Sequence, residues 1–370
     1  MTLKAITNDP MTLFANAHWC FAARRVEQDD AVNLHQDYSG VRPGDLILAR
    51  VLEIGQHRGI QLRSGRRATL FPGDLVVMPC GARYAPDQFE GLAEIDPSGT
   101  DMLAGGGCLG RMRHRNERVR PATRVLPLGC VAGADGKTLN LESYTIRADV
   151  SRSRVPLIAV VGTSMNSGKT LATAKLSHGL RLAGLRVGAI KATGTGSFGD
   201  YHQYLDSGAH YVADFSDAGM ATTYLTPIER IKAGIWSLLN GAEEAGCDVV
   251  VMEIADGLLQ KETAALLKDE ELRERLSGLV FACGDAVAAK GGASLLEALG
   301  HRITVMTGML SCSPMASQEA ADATGLRVLT KTELAEPSEA LAVLRGNADL
   351  ETSEVIDKIG TSVQALGTSR

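Results

Sequence analysis

The residues whose chemistry is plainest stand at 162–170, reading GTSMNSGKT. Two glycines, a lysine and a threonine at this spacing suit a polyphosphate. Successive backbone N–H groups wrap one phosphate, the ammonium of Lys169 bridges the terminal ones, and the Thr170 hydroxyl ligates Mg²⁺. The nucleotide contacts expected are Gly162, Thr163, Met165, Asn166, Ser167, Gly168, Lys169, Thr170 and Leu171. The interval between the glycines is one residue longer than in the common G-x4-G-K-[ST] form.

Other candidates lie downstream. Lys191 ends an apolar run, at the kind of strand end where open α/β sheets bind ligands, and its charge suits a transferring phosphoryl group. Glu253 follows Val249, Val250, Val251 and Met252, so its carboxylate needs a cation, for which Mg²⁺ is the economical choice. Asp200 sits in a Gly-flanked loop as a further metal candidate or a helix cap. In ATGTGS, the hydroxyls of Thr193, Thr195 and Ser197 alternate with Ala and Gly and could meet an anionic substrate. Asp256 either assists Glu253 or begins a turn, His202 and Asp214 are weaker candidates, and His210 reads as structural.

These groups need a scaffold of strands ending at one edge. From Val155 onward short apolar runs alternate with helical patterns of 10 to 18 residues, the grammar of βαβ units and a parallel sheet. Strands are expected at Leu157–Gly162, Arg186–Lys191, Asp248–Glu253, Gly278–Cys283, Ile303–Thr307 and Leu326–Leu329. Helices are expected at Gly168–Ala183, Pro227–Ala245, Lys261–Leu276, Ala289–Leu299, Pro314–Thr324 and Thr332–Leu344. Gly284, Asp285, Lys290, Gly291 and Gly292 suggest a site for the nucleotide base or a second substrate, and 306–317 repeats that arrangement. Before Val155, short β-rich runs from Gly44 to Cys80 are split by Gly, Arg and Pro turns, as in a small antiparallel barrel or meander. The fold class expected is α/β, a P-loop NTPase domain at 151–350 preceded by a mainly-β domain at 1–150 and followed by a helix or tail at 351–370; SRSRVP at 151–156 is the expected linker.

Within the P-loop proteins, a lysine five positions before Lys169 would mark the septum-site and partition ATPases, and Ser164 stands there instead. The loop GTSMNSGKT, the strand RVGAIKATGTGS, Asp200 in SFGDYHQ and DVVVMEIADG together resemble dethiobiotin synthetase, over about residues 155–260. The stretch from ATGTGS to DAG also resembles the P-loop family containing D-glutamate N-acetyltransferase and, more loosely, molybdopterin-guanine-dinucleotide adaptor proteins. The synthetase resemblance implies an ATP- and Mg²⁺-dependent ligase that activates a small carboxylate or carbamate. It gives catalytic roles to Lys169, Lys191 and Glu253, metal ligation to Thr170, Asp200 and Glu253, and pairing of two copies as a homodimer. The second resemblance implies acyl transfer or phosphorylation of a small amino acid. A nucleotide-gated adaptor or cofactor-delivery protein is a third reading.

Composition narrows the classes. Of 370 residues 40 are Gly and only 4% are aromatic, which suits tight phosphate loops and disfavours base-stacking nucleic-acid binders. A net charge of −5 gives no general attraction to nucleic acid, although residues 1–154 carry +3 and 155–370 carry −8. No apolar run approaches the ~20 residues of a membrane span, and the first residues lack an export pattern, so a cytoplasmic protein without membrane or nucleic-acid partners is expected. Seven scattered cysteines fit neither zinc nor disulfide spacing and read as reduced, mostly buried thiols, with Cys312 the exception. Arg111, Arg113 and Arg115 alternate on one strand face, a solvated edge rather than an anion site.

Overall fold

The computed structural model describes residues 9–146 and 153–346, so the tail at 351–370 and the first two residues of the linker lie outside the described residues. The chain forms two compact units. One comprises Met1–Ile146 with Thr195–Phe198 and Phe215–Thr226; the other comprises Arg147–Gly194, Gly199–Asp214 and Pro227–Arg370.

The first unit is built on a nine-stranded sheet. Leu46–Glu53 lies between Leu75–Pro79 and Thr123–Ala132, and all three pair antiparallel. Its core gathers Leu46, Ile47, Leu48, Val76, Val77, Met78 and Val131; consecutive strand residues point to opposite faces, so both faces of these strands are covered. Arg111, Arg113 and Arg115 are exposed on the strand Cys108–Arg115, and Arg111 pairs with Glu94 at 2.5 Å. They are solvated, but not on a sheet edge: their strand lies between Thr100–Ala104 and Phe89–Leu92.

A titratable group is locked into this unit. The His57 ring stands 3.2 Å from the Met102 carbonyl and 3.5 Å from the Arg83 guanidinium. Burial, with Arg83 adding to it, pushes the imidazole down to about 4. Because the folded value lies below the ordinary one of ~6.5, His57 contributes stability that is complete above pH 6.5 and lost as the pH falls toward 4. The unfolding free energy should drop over that window by about 2–3 kcal/mol more than in His57→Gln, measured by denaturant titration at pH 7 and pH 4.5. Equal losses in the two proteins would contradict this.

The second unit carries six strands, all parallel: β1 Leu157–Gly162, β2 Val187–Lys191, β3 Tyr211–Asp214, β4 Val249–Glu253, β5 Leu276–Ala282 and β6 Val305–Thr307, in the order β3-β2-β4-β1-β5-β6. This is a mixed α/β fold with a parallel sheet of the kind P-loop NTPases use. Every residue of β1 and β4 is buried, as expected for strands covered on both faces. Register sets the functional edge: Lys191 pairs with Glu253 on one side and Asp214 on the other, and Val160 pairs with Glu253. The last side chains of β2, β3 and β4 therefore stand at one level, and β1 runs two residues further to Gly162.

Several expected elements differ in detail. The helix expected at Lys261–Leu276 is two, Lys261–Lys268 and Glu270–Glu274, because extended Asp269 accepts a hydrogen bond from Leu272 N–H and caps a new start. Leu326–Leu329 makes a single bridge from Val328 to Met306 and no strand. The helix Phe198–Asp206 and strand β3 are not among the expected elements. Among the described residues no helix is long and apolar enough to cross a membrane.

Candidate functional site

Strand β1 runs to Gly162, where a side chain could not fit: a Cβ there would lie 2.2 Å from Ser167 Oγ and 2.9 Å from the Ala282 carbonyl. Asn166 and Gly168 then turn the chain back with φ of 65° and 103°, and the helix Lys169–Leu182 begins. The result is a closed loop at the N-terminus of a fourteen-residue helix, with the positive end of the helix dipole behind it. Two features bear on what it could hold. Lys169 folds inward and donates from Nζ to the Ser164 carbonyl at 2.7 Å. The Ser167 hydroxyl is buried with no hydrogen-bond partner, an arrangement that folded proteins avoid unless something else supplies the partner. A phosphate oxygen in the loop would do so. Burial pushes the Lys169 ammonium below the ordinary lysine range, against the opposing pull of Glu253 and Asp256.

Beside the loop stands a buried charge network. Lys191, with 11% of its side chain exposed, contacts the carboxylate of Asp200 and lies 3.8 Å from Glu253 Oε1. The Tyr204 hydroxyl donates to Glu253 Oε2, and the nearby Thr170 side chain helps lower the Glu253 pKa. Burial works against ionisation of Glu253, yet Lys191 and Lys169 outweigh it and hold the carboxyl below the usual glutamate range. Burial likewise disfavours the Lys191 ammonium, but Glu253 and Asp200 overcome it and raise its pKa. Both groups are therefore charged at neutral pH. Asp256 is different: burial raises its carboxyl to about 6, although Lys169 and Lys191 pull it the other way.

The residues expected to share a site divide into three sets. Lys169, Thr170, Lys191, Asp200 and Glu253 are brought together by the contacts above. Thr193 has a structural engagement: its buried hydroxyl accepts from Ala255 N–H at 2.8 Å just beyond the end of β4. Thr195 and Ser197 belong to the first unit, where Thr195 bridges to Thr222. His210 accepts from Val187 N–H at 3.1 Å and is structural.

Among the described residues no three His, Cys, Asp or Glu side chains are grouped to hold a metal. The Thr170 hydroxyl and Glu253 carboxylate nonetheless fit Mg²⁺, which is held by one or two protein oxygens with water and phosphate completing the shell. Asp200, expected as a third ligand, is engaged with Lys191 instead. Tyr204 is not among the expected residues, though its spacing is a usable signal: Asp200 and Tyr204 are one turn apart in the helix Phe198–Asp206, so both face Glu253 and Lys191.

A cavity of about 260 Å³ adjoins the loop, walled by Leu171, Met309 and Leu334 with Cys312, Thr330 and Lys331 around it. Its floor is tied to the loop, since Met309 N–H donates to the Ser167 carbonyl at 3.0 Å. In the Gly284–Gly292 segment, where a base site is expected, Asp285 spends its carboxylate on Ala288 N–H at the start of its own helix. Six of the seven cysteines are buried, and Cys312 is exposed at this cavity.

No protein-family model matches the chain. No curated protein matches it. Among solved structures it is similar to chloroplast FtsY from Physcomitrella patens, at 14% identity over 58% of this chain and 68% of that one, with a TM-score of 0.35. Signal recognition particle 54 kDa protein from Aeropyrum pernix, in complex with GDP, gives 18% identity, 61% and 54% coverage and a TM-score of 0.33. Cell division protein FtsY from Thermotoga maritima gives 16%, 55%, 73% and 0.36. Those proteins are P-loop NTPases, not ligases. Two expectations are corrected on this finding. The ATP-dependent ligase of the dethiobiotin synthetase kind, and the alternative of an acyltransferase or kinase acting on a small amino acid, have no counterpart among the neighbours named here. The small anionic substrate, with no macromolecular partner beyond a second copy, is set aside with it, since the neighbours are named as a particle and its receptor.

Proposed function

We propose that the chain is a Mg²⁺-dependent nucleoside triphosphatase whose nucleotide state is passed to its β unit. The observation that carries the first half is the convergence of Lys169, Lys191, Thr170 and Glu253 beside a phosphate loop whose buried Ser167 hydroxyl lacks a partner. Loop amides and Lys169 hold the β- and γ-phosphates, and Lys191 faces the charge that develops as the γ-phosphoryl group leaves. Thr170 and Glu253 would hold Mg²⁺, which would supply neutralising charge for phosphoryl transfer. Tyr204, buried against Glu253, fixes the rotamer of that carboxylate. The base lies in the cavity between Leu171 and Met309; ATP is the nucleotide taken from the sequence, to be compared directly with GTP.

Chain continuity carries the second half. Lys191 ends β2 and, four residues on, Thr195–Phe198 belongs to the other unit; Asp214 ends β3 and Phe215–Thr226 follows at once. A shift at either strand end on loss of the γ-phosphate is thus fed by covalent connection into the β unit, the general form of a nucleotide switch. The test is hydrogen exchange of the full chain with Mg²⁺ and a non-hydrolysable triphosphate against the diphosphate. Exchange at 195–198 and 215–226 should differ between the two states. Turnover without any such difference would remove the switch and leave the hydrolase.

A further inference from the structure

The turn that follows Glu253 holds a carboxylate for which the fold supplies no structural use. Asp256 adopts φ 65°, in the left-handed region that few non-glycine residues other than Asn and Asp enter. The turn is clamped on both sides: Ala255 N–H donates to Thr193 Oγ1 at 2.8 Å, and Thr263 Oγ1 donates to the Ala255 carbonyl at 2.9 Å. The next residue presses on the phosphate loop so closely that a Cβ on Gly257 would lie 2.5 Å from the Thr163 carbonyl and 3.2 Å from Ser164 Cα. Asp256 itself is 9% exposed and lies within the fields of Lys169 and Lys191, with Glu253 and Glu262 the acidic neighbours. Its side chain accepts no hydrogen bond from any described residue, unlike Asp200, Glu253 or the helix-capping Asp269 and Asp285. A mostly buried carboxylate held in a left-handed turn, pressed to the phosphate loop and left without a donor, is placed to accept from a bound water.

We propose that Asp256 is the catalytic base of the hydrolysis, orienting the attacking water beside the γ-phosphate. The water oxygen forms its bond to the γ-phosphorus as the bridging P–O bond breaks, and the electron pair of that bond leaves on the nucleoside diphosphate. The water proton passes to an Asp256 carboxylate oxygen and then to solvent. Lys169 and Lys191 neutralise the departing and transferring oxygens, so each charge has a named partner.

This inference rests on the hydrolase reading, and the experiment separates the two. Asp256→Asn keeps the backbone, since Asn tolerates the left-handed region well, but a carboxamide cannot take the proton. Its kcat for Mg²⁺-ATP or Mg²⁺-GTP, whichever the parent protein turns over, should fall by about 10²-fold or more. KM and the Kd for the non-hydrolysable analogue should stay within about threefold, with Tm unchanged. Asp256→Gly, which keeps the left-handed φ as it removes the carboxylate, should lose turnover equally. Turnover within threefold of the parent in either variant overturns the role of Asp256 alone, as does a rise in Kd at constant kcat. A parent protein that hydrolyses neither nucleotide overturns the hydrolase reading and this inference together.

Discussion

Lys169→Ala should reduce triphosphate turnover by at least 10²–10³-fold, the scale observed when one preorganised charge is removed from a developing anion. Its ammonium is already folded into the loop, 2.7 Å from the Ser164 carbonyl. It therefore needs only to exchange one acceptor for a phosphate oxygen. Burial disfavours the ammonium there while buried Glu253 gains from it, so the two effects of truncation on stability oppose and the Tm should stay close to that of the parent as activity is lost. Phosphate release and thermal melts on the same preparation check both parts, and an active Lys169→Ala protein would remove the phosphate loop from the mechanism.

Glu253→Gln should be damaging in two ways. Glu253 is 2% exposed and is held ionised by Lys191 and Lys169. Removing its charge leaves Lys191 with Asp200 as its remaining close carboxylate, so stability should fall by about 3 kcal/mol, the lower end of the cost of breaking a buried pair. Turnover should fall on the order of 10²-fold with the Mg²⁺ dependence shifted to higher concentration, because the hydroxyl of Thr170 would lose its carboxylate neighbour. Urea titration reads the first effect and an Mg²⁺ titration of the rate reads the second. A Glu253→Gln protein with unchanged Mg²⁺ dependence would place the metal elsewhere.

How much of this is readable from residues alone depends on the range of the forces involved. Strand β1 is legible to its ends because six consecutive apolar residues buried on both faces have no other stable use in a chain of this kind. Lys169 and Thr170 are legible because phosphate binding is local: the loop, the lysine and the helix start are contiguous. The convergence of Lys191 and Glu253 is legible only as two strand ends, and register between β2 and β4 turns it into a contact. Tyr204 and the engagement of Asp200 by Lys191 depend on a helix that its Gly- and Tyr-containing sequence does not announce. Thr193 looks like a substrate hydroxyl because nothing in ATGTGS reveals the amide of Ala255, sixty-two residues away, that occupies it. The segments Thr195–Phe198 and Phe215–Thr226 read as loops of the phosphate unit by proximity in sequence, whereas their packing assigns them to the other unit.

The most direct test of the account is phosphate release by the purified full chain with ATP or GTP, followed as Mg²⁺ is titrated in and then removed with a chelator. The predicted result is saturable release with at least one nucleotide, absent without Mg²⁺ and restored when it is returned. Failure of either nucleotide to bind or turn over at millimolar concentration, with Mg²⁺ present, would contradict the account.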